Sequence, residues 1–427
     1  MGRRIKTVQD VARWRMCAGC GACAYGCPNG AVELENIPSD GIRPRVDPSR
    51  CRQCGECLSF CVGYAVDAPP CGRHSRRPST VEQEIGPVLD AFEGYACDPE
   101  IRHHGSSGGL LSALALYCLE RKQAAFVLHS GMDPEKPWLN RTYQSRNKKD
   151  ILARAGSRYA PASPCDSLEL VEKSAGSCVF IGKPCDAAAV STLSRRRPEL
   201  AANVGVVLTH FCAGTPSTQG TLDLMESLGI APGEVTSVRY RGQGWPGSFR
   251  VTSVEPCKDA SVPYSEAWGQ LYGYVPLRCR FCCHGLGHIG DISCGDAWHD
   301  FRDDGSDGQS VVLVRTERGR MLVRGAIEAA YVKLKPCDPA SVVAGQTNLL
   351  DKRRHLFGRL LAMKLGLIPV TRFRGFHLFK AWTTLPLQEK WQSVRGTVSR
   401  IVNRRLWRPL QLDTRSGERN TDGRFVL

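Results

Sequence analysis

The sequence predicts an α+β domain at the N-terminus, an α/β domain after it, and a basic, partly helical C-terminal tail. Three observations predict this. Eight of the 21 cysteines fall in two compact quartets before residue 62. Past residue 100, short β-rich runs alternate with helical stretches and Gly-rich turns. Of the net charge of +15, residues 351–427 carry +12, from 17 Lys/Arg against 5 Asp/Glu. The expected domains are residues 1–75, 76–345 and 346–427.

The first quartet, Cys17, Cys20, Cys23 and Cys27, has the spacing C-x2-C-x2-C-x3-C with Pro28 following, and Cys51, Cys54, Cys57 and Cys61 repeat it. Three thiolates two residues apart can wrap one cubane, while the fourth points away and ligates a partner cluster. Cys17, Cys20, Cys23 and Cys61 are therefore expected to hold one [4Fe–4S] cluster, and Cys51, Cys54, Cys57 and Cys27 the other. This is a ferredoxin-like 2[4Fe–4S] domain of the bacterial type. Gly19, Gly21 and Gly55 let the backbone turn tightly and bring N–H groups toward sulfur. Structural zinc uses CxxC pairs far apart rather than two compact quartets. Val62 stands where the second motif ordinarily has Pro, and the long Pro28–Arg50 stretch has room for an extra hairpin.

A secreted disulfide scaffold would be short and led by a signal peptide. Here the N-terminus is basic, and Arg3-Arg4 lacks the hydrophobic segment of a twin-arginine signal. The longest apolar run, Leu110 to Leu119, is too short to span a bilayer. A cytoplasmic, reducing setting is expected, with cysteine serving metal. Pro69, Pro70, Gly72 and the run Arg73 to Pro78 read as a linker.

In the second domain, a Gly/Ser loop ending Ser106-Ser107-Gly108-Gly109 precedes Leu110, Leu111, Leu114 and Cys118 at helical spacing. Such a loop offers backbone N–H groups and a positive helix end to a phosphate. It lacks the GxGxxG spacing of a dinucleotide fingerprint. Ala125–Leu128, Val179–Gly182 and Val204–Cys212 read as strands, with a helix following Asp186. Cys185 and Cys212 fall at strand ends, where they can converge, and Cys279-x2-Cys282 has ligand spacing. Cys71, Cys97, Cys118, Cys165, Cys178, Cys257 and Cys337 read as core thiols.

Six motifs in order carry a resemblance: Ser-Ser-Gly-Gly (106–109), Gly-Ser-Arg-Tyr (156–159), Gly-Lys-Pro-Cys (182–185), Phe-Cys-Ala-Gly-Thr-Pro-Ser (211–217), Cys-x2-Cys (279–282) and Asp-Ile-Ser-Cys-Gly-Asp-x-Trp (291–298). To about residue 340 the chain resembles the beta-subunit family of coenzyme F420-dependent hydrogenases and dehydrogenases, which includes reductases of chlorophyll intermediates. The resemblance implies an α/β flavin-binding domain in which FAD exchanges single electrons with clusters and a hydride with an organic substrate. By position, Ser106, Ser107, Gly108 and Gly109 would contact the flavin phosphates or ribityl chain. Ser157, Tyr159, Lys183 and Pro184 would line its pocket, and Cys185, Cys212, Cys279 and Cys282 would hold a third [4Fe–4S] cluster. The family has Gly-Thr-Pro-Cys-Gln where this chain has Gly-Lys-Pro-Cys-Asp, and Arg158 and Cys294 also depart from its pattern.

His103, His104, His210, His284, His288 and Asp296 are the candidate proton donors. In the tail, Trp391, Val394, Val398, Ile401, Val402 and Leu406 share one helical face, expected to dock on the core; the alternative is an anionic membrane surface. Nothing accompanies the basic tail that would mark nucleic-acid binding. Three functions are weighed. One is an oxidoreductase acting on coenzyme F420 with ferredoxin or a partner subunit. Another is a ferredoxin-dependent reductase of a pigment or polysaccharide precursor. The last is a flavin-free electron relay within a larger complex. Each is compatible with a homo-oligomer.

Overall fold

The computed structural model describes residues 5–69, 80–255, 258–301 and 305–412. Arg3, Arg4, Cys71, Cys257 and the linker reading of Pro70, Gly72 and Arg73–Pro78 lie outside the described residues, as does the tail past residue 412.

In the N-terminal domain the stretch between the two quartets forms the hairpin β1 (Val32–Ile37) and β2 (Gly41–Val46), paired in unbroken register from Val32↔Val46 to Ile37↔Gly41. β3 (Ala65–Asp67) follows the second quartet. The large sheet is built from β4 (Asp90–Ala96), β5 (Phe126–Met132), β6 (Asn140–Ser145), β7 (Cys178–Gly182) and β8 (Val204–His210). A separate three-stranded meander follows: β9 (Val235–Arg239), β10 (Ser248–Ser253) and β11 (Ala260–Pro263). β12 (Ile292–Asp296), β13 (Ser310–Val314) and β14 (Val332–Pro336) return to the large sheet, whose order is β14-β4-β13-β12-β8-β7-β5-β6.

β5, β7, β8 and β12 run parallel. Parallel strands covered on both faces are apolar throughout, and Val179-Phe180-Ile181 and Val206-Val207-Leu208 read that way. Alternate residues serve opposite faces. Val127, Val179, Val206 and Leu208 pack with the helix Leu110–Glu120. Phe126, Leu128, Phe180 and Val207 join a core that also contains Val8, Val11, Trp14 and Phe60. The ferredoxin-like domain is thus no separate bead. It shares its apolar core with one face of the large sheet.

The C-terminal segment straps the two together. β15 (Arg372–Arg374) pairs parallel with β3, and Thr371 Oγ1 donates to Gly63 O at 2.7 Å across 308 residues of chain. Leu410 N donates to Arg13 O at 2.8 Å. The helix Leu387–Asn403 packs on the helix Leu356–Leu365, but the face predicted for it is not the one it buries. Ile401 and Leu406 go inward as expected, while Trp391, Val398 and Val402 are exposed at 63, 47 and 57%. Ser393 and Thr397 are buried in their place. The cause is a close helix contact: a Cβ on Gly358 would lie 2.0 Å from Ser393 Oγ, so only small residues fit on either side.

Candidate functional site

Each cysteine quartet meets a hollow in the way the spacing predicts. Cys17, Cys20, Cys23 and Cys61 line one of about 380 Å³, walled by Val8, Leu34, Ile42 and Val62. Cys27, Cys51, Cys54 and Cys57 line another of about 390 Å³ near the surface. The fourth cysteine of each motif has crossed over. Gly19 N donates to Cys17 Sγ and Ala31 N to Cys27 Sγ, both at 3.3 Å. Burial raises the Cys17, Cys20 and Cys23 thiols and pushes Cys61 up to about 12. Bare thiolates are costly there, so the cationic iron–sulfide core of a cluster suits the first hollow. Among the described residues no three His, Cys, Asp or Glu groups close to single-ion distances.

The turn Ser163–Asp166 clamps the first quartet: Ser163 Oγ donates to Gly19 O at 2.7 Å and Cys165 N to Cys20 O at 3.0 Å. Gly21 is left-handed at φ +87°, and a Cβ there would lie 2.8 Å from Asp166 N. Gly55 has a similar φ of +77° but open space around it. Gly55→Ala should cost about 1–2 kcal/mol from backbone strain alone. Gly21→Ala should cost distinctly more and release iron, as read by thermal unfolding and an iron assay; equal costs would sink this account of the clamp.

The remaining candidates collect at one edge of the sheet, where the parallel strands end. Lys183 and Pro184 follow β7 and open the helix Pro184–Ser194, which carries Cys185; Cys212 lies just past β8. Cys212 N donates to Gly285 O at 2.8 Å, and a Cβ on Gly214 would lie 3.4 Å from Cys279 Cβ. Cys185 feels Cys212 and Cys279, and Cys212 feels Cys279 and Cys282, so the four predicted thiols form one group. Burial drives Cys185 far up and Cys212 to about 12. Burial works against the Cys282 thiolate, but His284 Nδ1, 3.7 Å from its sulfur, together with Arg278 and Lys352 outweighs it, and the thiol falls well below its ordinary value. Lys183, Arg278 and Lys352 all act on this group. Four thiolates with three nearby cations fit an anionic thiolate-ligated cluster.

A third hollow, of about 320 Å³, joins the two regions: Cys17, Asp40 and Arg43 line it on one side, Lys183 and Cys279 on the other. Arg43, 5% exposed, donates Nε to Asp40 Oδ2 at 2.7 Å. Sequence reasoning missed Arg43, because nothing in a hairpin's pattern shows what its far end faces.

The Gly/Ser loop reaches the same edge. Ala96 N, at the end of β4, donates to Gly108 O at 2.7 Å, and Ser107 Oγ bonds Gln309 O and Ser310 Oγ, each at 3.0 Å. Gly109, at φ +72°, begins the helix Leu110–Glu120 with no side chain capping it. Ser157 N donates to Ser106 Oγ at 2.6 Å, which ties two predicted segments together. Beside them Tyr159 stands among Tyr240, Tyr264 and Trp268. Arg241 grips Asp296 through Nη1 at 3.1 Å and Nη2 at 2.6 Å, and Trp245 Nε1 adds a bond at 2.8 Å. Trp245 stacks on Trp298 at 5.3 Å. Tyr159 and Trp298 fall in motifs the sequence singles out, whereas the segments that bring in Tyr240, Trp245, Tyr264 and Trp268 do not.

Of the candidate acids, Asp296 is occupied as a threefold acceptor, which removes it as a proton donor. His103 is exposed and bonded to Asp307 at 2.8 Å, and His104 bonds Glu100 O. His210, at the end of β8, is lowered to about 4 by burial and by Lys183. His284 and His288 are buried near Cys282 rather than beside the aromatic group. Cys118, Cys165, Cys178 and Cys294 are buried core thiols, Cys337 is half-buried, and Cys97 is exposed. Arg158 is a structural tie, bonding Asn140 Oδ1 at 2.8 Å, Pro137 O at 2.7 Å and Leu139 O at 3.0 Å.

The N-terminal residues define the class first: positions 16–63 match the 4Fe-4S dicluster domain, so this is an iron–sulfur protein. The rest matches the beta subunit of coenzyme F420 hydrogenase/dehydrogenase, its N-terminal part at residues 91–169 and its C-terminal part at residues 176–340. The chain belongs to the coenzyme F420 hydrogenase/dehydrogenase beta-subunit family. It is 24% identical to the coenzyme F420 hydrogenase subunit beta of Methanococcus voltae, over 60% of this chain and 86% of that one. With the F420-dependent formate dehydrogenase 1 subunit beta of Methanococcus maripaludis it shares 25% identity, over 57% of this chain and 61% of the relative. A chain of the F420-reducing [NiFe] hydrogenase complex from Methanosarcina barkeri shares the fold, with a TM-score of 0.52, 20% identity, and coverage of 70% of this chain and 99% of that one. No helix among the described residues is long and apolar enough to cross a membrane.

Proposed function

We propose that this chain is an iron–sulfur flavoprotein oxidoreductase subunit that moves electrons between [4Fe–4S] clusters and FAD, to oxidise or reduce coenzyme F420 or a related organic substrate. The observation that carries this reading is the hollow shared by Cys17 and Cys279, which sets the ferredoxin-like domain against the cysteine group on the sheet edge. Two cluster sites in the dicluster domain followed by a third cysteine group make a one-electron path. The Gly/Ser loop then lies at the same edge, where ligands of α/β sheets bind.

Bound FAD would supply the exchange between one-electron and two-electron hydride chemistry. The chain's own part is positional. The uncapped start of the helix Leu110–Glu120 presents backbone N–H groups and a positive dipole end to phosphates. Ser106 holds Ser157 against that loop, and Tyr159 with the Arg241–Asp296 pair walls the adjacent space. Lys183 and Pro184 stand nearer the cysteine group, so their part is to set its charge environment and not only to line a flavin pocket.

Anaerobic purification, an iron count and flavin extraction test this. The expected result is about twelve irons per chain, four per cubane, with FAD released on denaturation. Ser106→Ala should weaken FAD retention and leave iron unchanged. Full iron without flavin would reduce the chain to a relay. Flavin bleaching by reduced F420, compared with reduced ferredoxin, then identifies the organic partner.

A further inference from the structure

Of the twelve cysteines assigned to clusters, Cys54 alone is exposed. Its hollow is rimmed by Lys6 and Arg52, while the walls of the first-quartet hollow are apolar. Arg50 adds a third cation: its Nη2 would lie 2.6 Å from a Cβ on Gly30, three residues past Cys27. None of the three is in an ion pair among the described residues. The nearby acids are engaged: Asp47 accepts from Ser49 N and Oγ at 2.9 and 2.6 Å and also feels Arg50, and Glu56 pairs with Arg196 at 3.6 Å. The net result is a positive collar around the one place where a cluster thiol meets solvent.

We propose that this collar is the docking surface for an acidic one-electron carrier protein and that single electrons cross the surface of the chain at Cys54. The inference rests on the cluster reading above. The step moves one electron and no proton or bond: the carrier is oxidised by one electron as the cluster held by Cys27, Cys51, Cys54 and Cys57 is reduced by one. Opposite charge on two proteins accelerates encounter about tenfold or more at low salt, and salt screens the gain.

The test uses the full chain with clusters in place, anaerobically, in stopped flow. Reduction is followed with an acidic bacterial ferredoxin and with the small reductant dithionite, and reoxidation of the reduced chain with oxidised, basic cytochrome c as electron acceptor. For Arg50→Glu/Arg52→Glu the ferredoxin rate is expected to fall about tenfold or more, its salt dependence to flatten, and the cytochrome rate to rise. Dithionite reduction and iron content should match the unaltered chain. An unchanged ferredoxin rate in a variant with full iron overturns the docking surface. A wild-type chain that dithionite cannot bleach overturns the cluster reading instead, so the two failures are distinct.

Discussion

Cys279→Ser is expected to lower the iron content from about twelve to about eight atoms per chain and to slow electron passage to the flavin by a hundredfold or more. That rate loss is an order-of-magnitude expectation for a broken first link in a positioned chain, about 2.7 kcal/mol at 1.36 kcal/mol per decade. Cys279 lines the hollow with Cys17 and stands in the same group as Cys185 and Cys212. On the proposed assignment, losing its thiolate removes a ligand from the third site without touching the eight cysteines of the ferredoxin-like domain. Reduced ferredoxin, a protein donor, should therefore still bleach the first two clusters, while the flavin of the proposed site stays oxidised on the same timescale. Iron counting, cluster spectroscopy and flavin absorbance read the three effects separately. Retention of all the iron would mean that Cys279 is no ligand.

The second large effect concerns Lys183 and Asp186, two of the positions at which this chain departs from its family's pattern. They are each other's partner. Lys183 Nζ lies 2.8 Å from Asp186 Oδ2, Lys183 N donates to the same oxygen at 3.0 Å, and Asp186 is fully buried. Burial works against the ammonium, but Asp186 and Cys185 outweigh it and keep the lysine charged; for Asp186 burial prevails and raises the carboxyl. Two bonds from Lys183 to one carboxylate oxygen hold the ion pair intact. Asp186→Ala should destabilise the chain by about 3–5 kcal/mol, because it leaves a buried ammonium uncompensated. The double variant Lys183→Thr/Asp186→Gln, which restores the uncharged pair of the family, should be close to neutral. Urea unfolding of the single and double variants measures the coupling. A double variant as unstable as the single one would show that the pair does not act as a unit.

Much of the site was legible because metal ligation writes itself into spacing. The two quartets, their crossed fourth ligands and the hairpin between them follow from local geometry, and the strands around Phe126, Val179 and Val204 from β-branched runs. The sheet order was not legible, since β4 pairs with β13 and β14 from far along the chain. The tail helix misled for a physical reason. Periodicity assumes that apolar residues turn inward, whereas a tight helix contact at Gly358 selects Ser393 and Thr397 for size. Arg241 and Trp245 escaped notice because a loop residue shows its partner, here Asp296, only once the strands are in place.

The pairing of β3 with β15 has a consequence for biosynthesis. The ferredoxin-like domain leaves the ribosome well before the strand that completes its edge. Until residues 372–374 emerge, β3 presents an open edge and the apolar residues it shares with the sheet lack their cover. Cluster delivery to the nascent chain would therefore meet an unfinished container, which the strap seals only once residues 372–374 are available. Chains truncated before residue 372 should load iron and then lose it, a leak that pulse-labelling with iron during synthesis can follow.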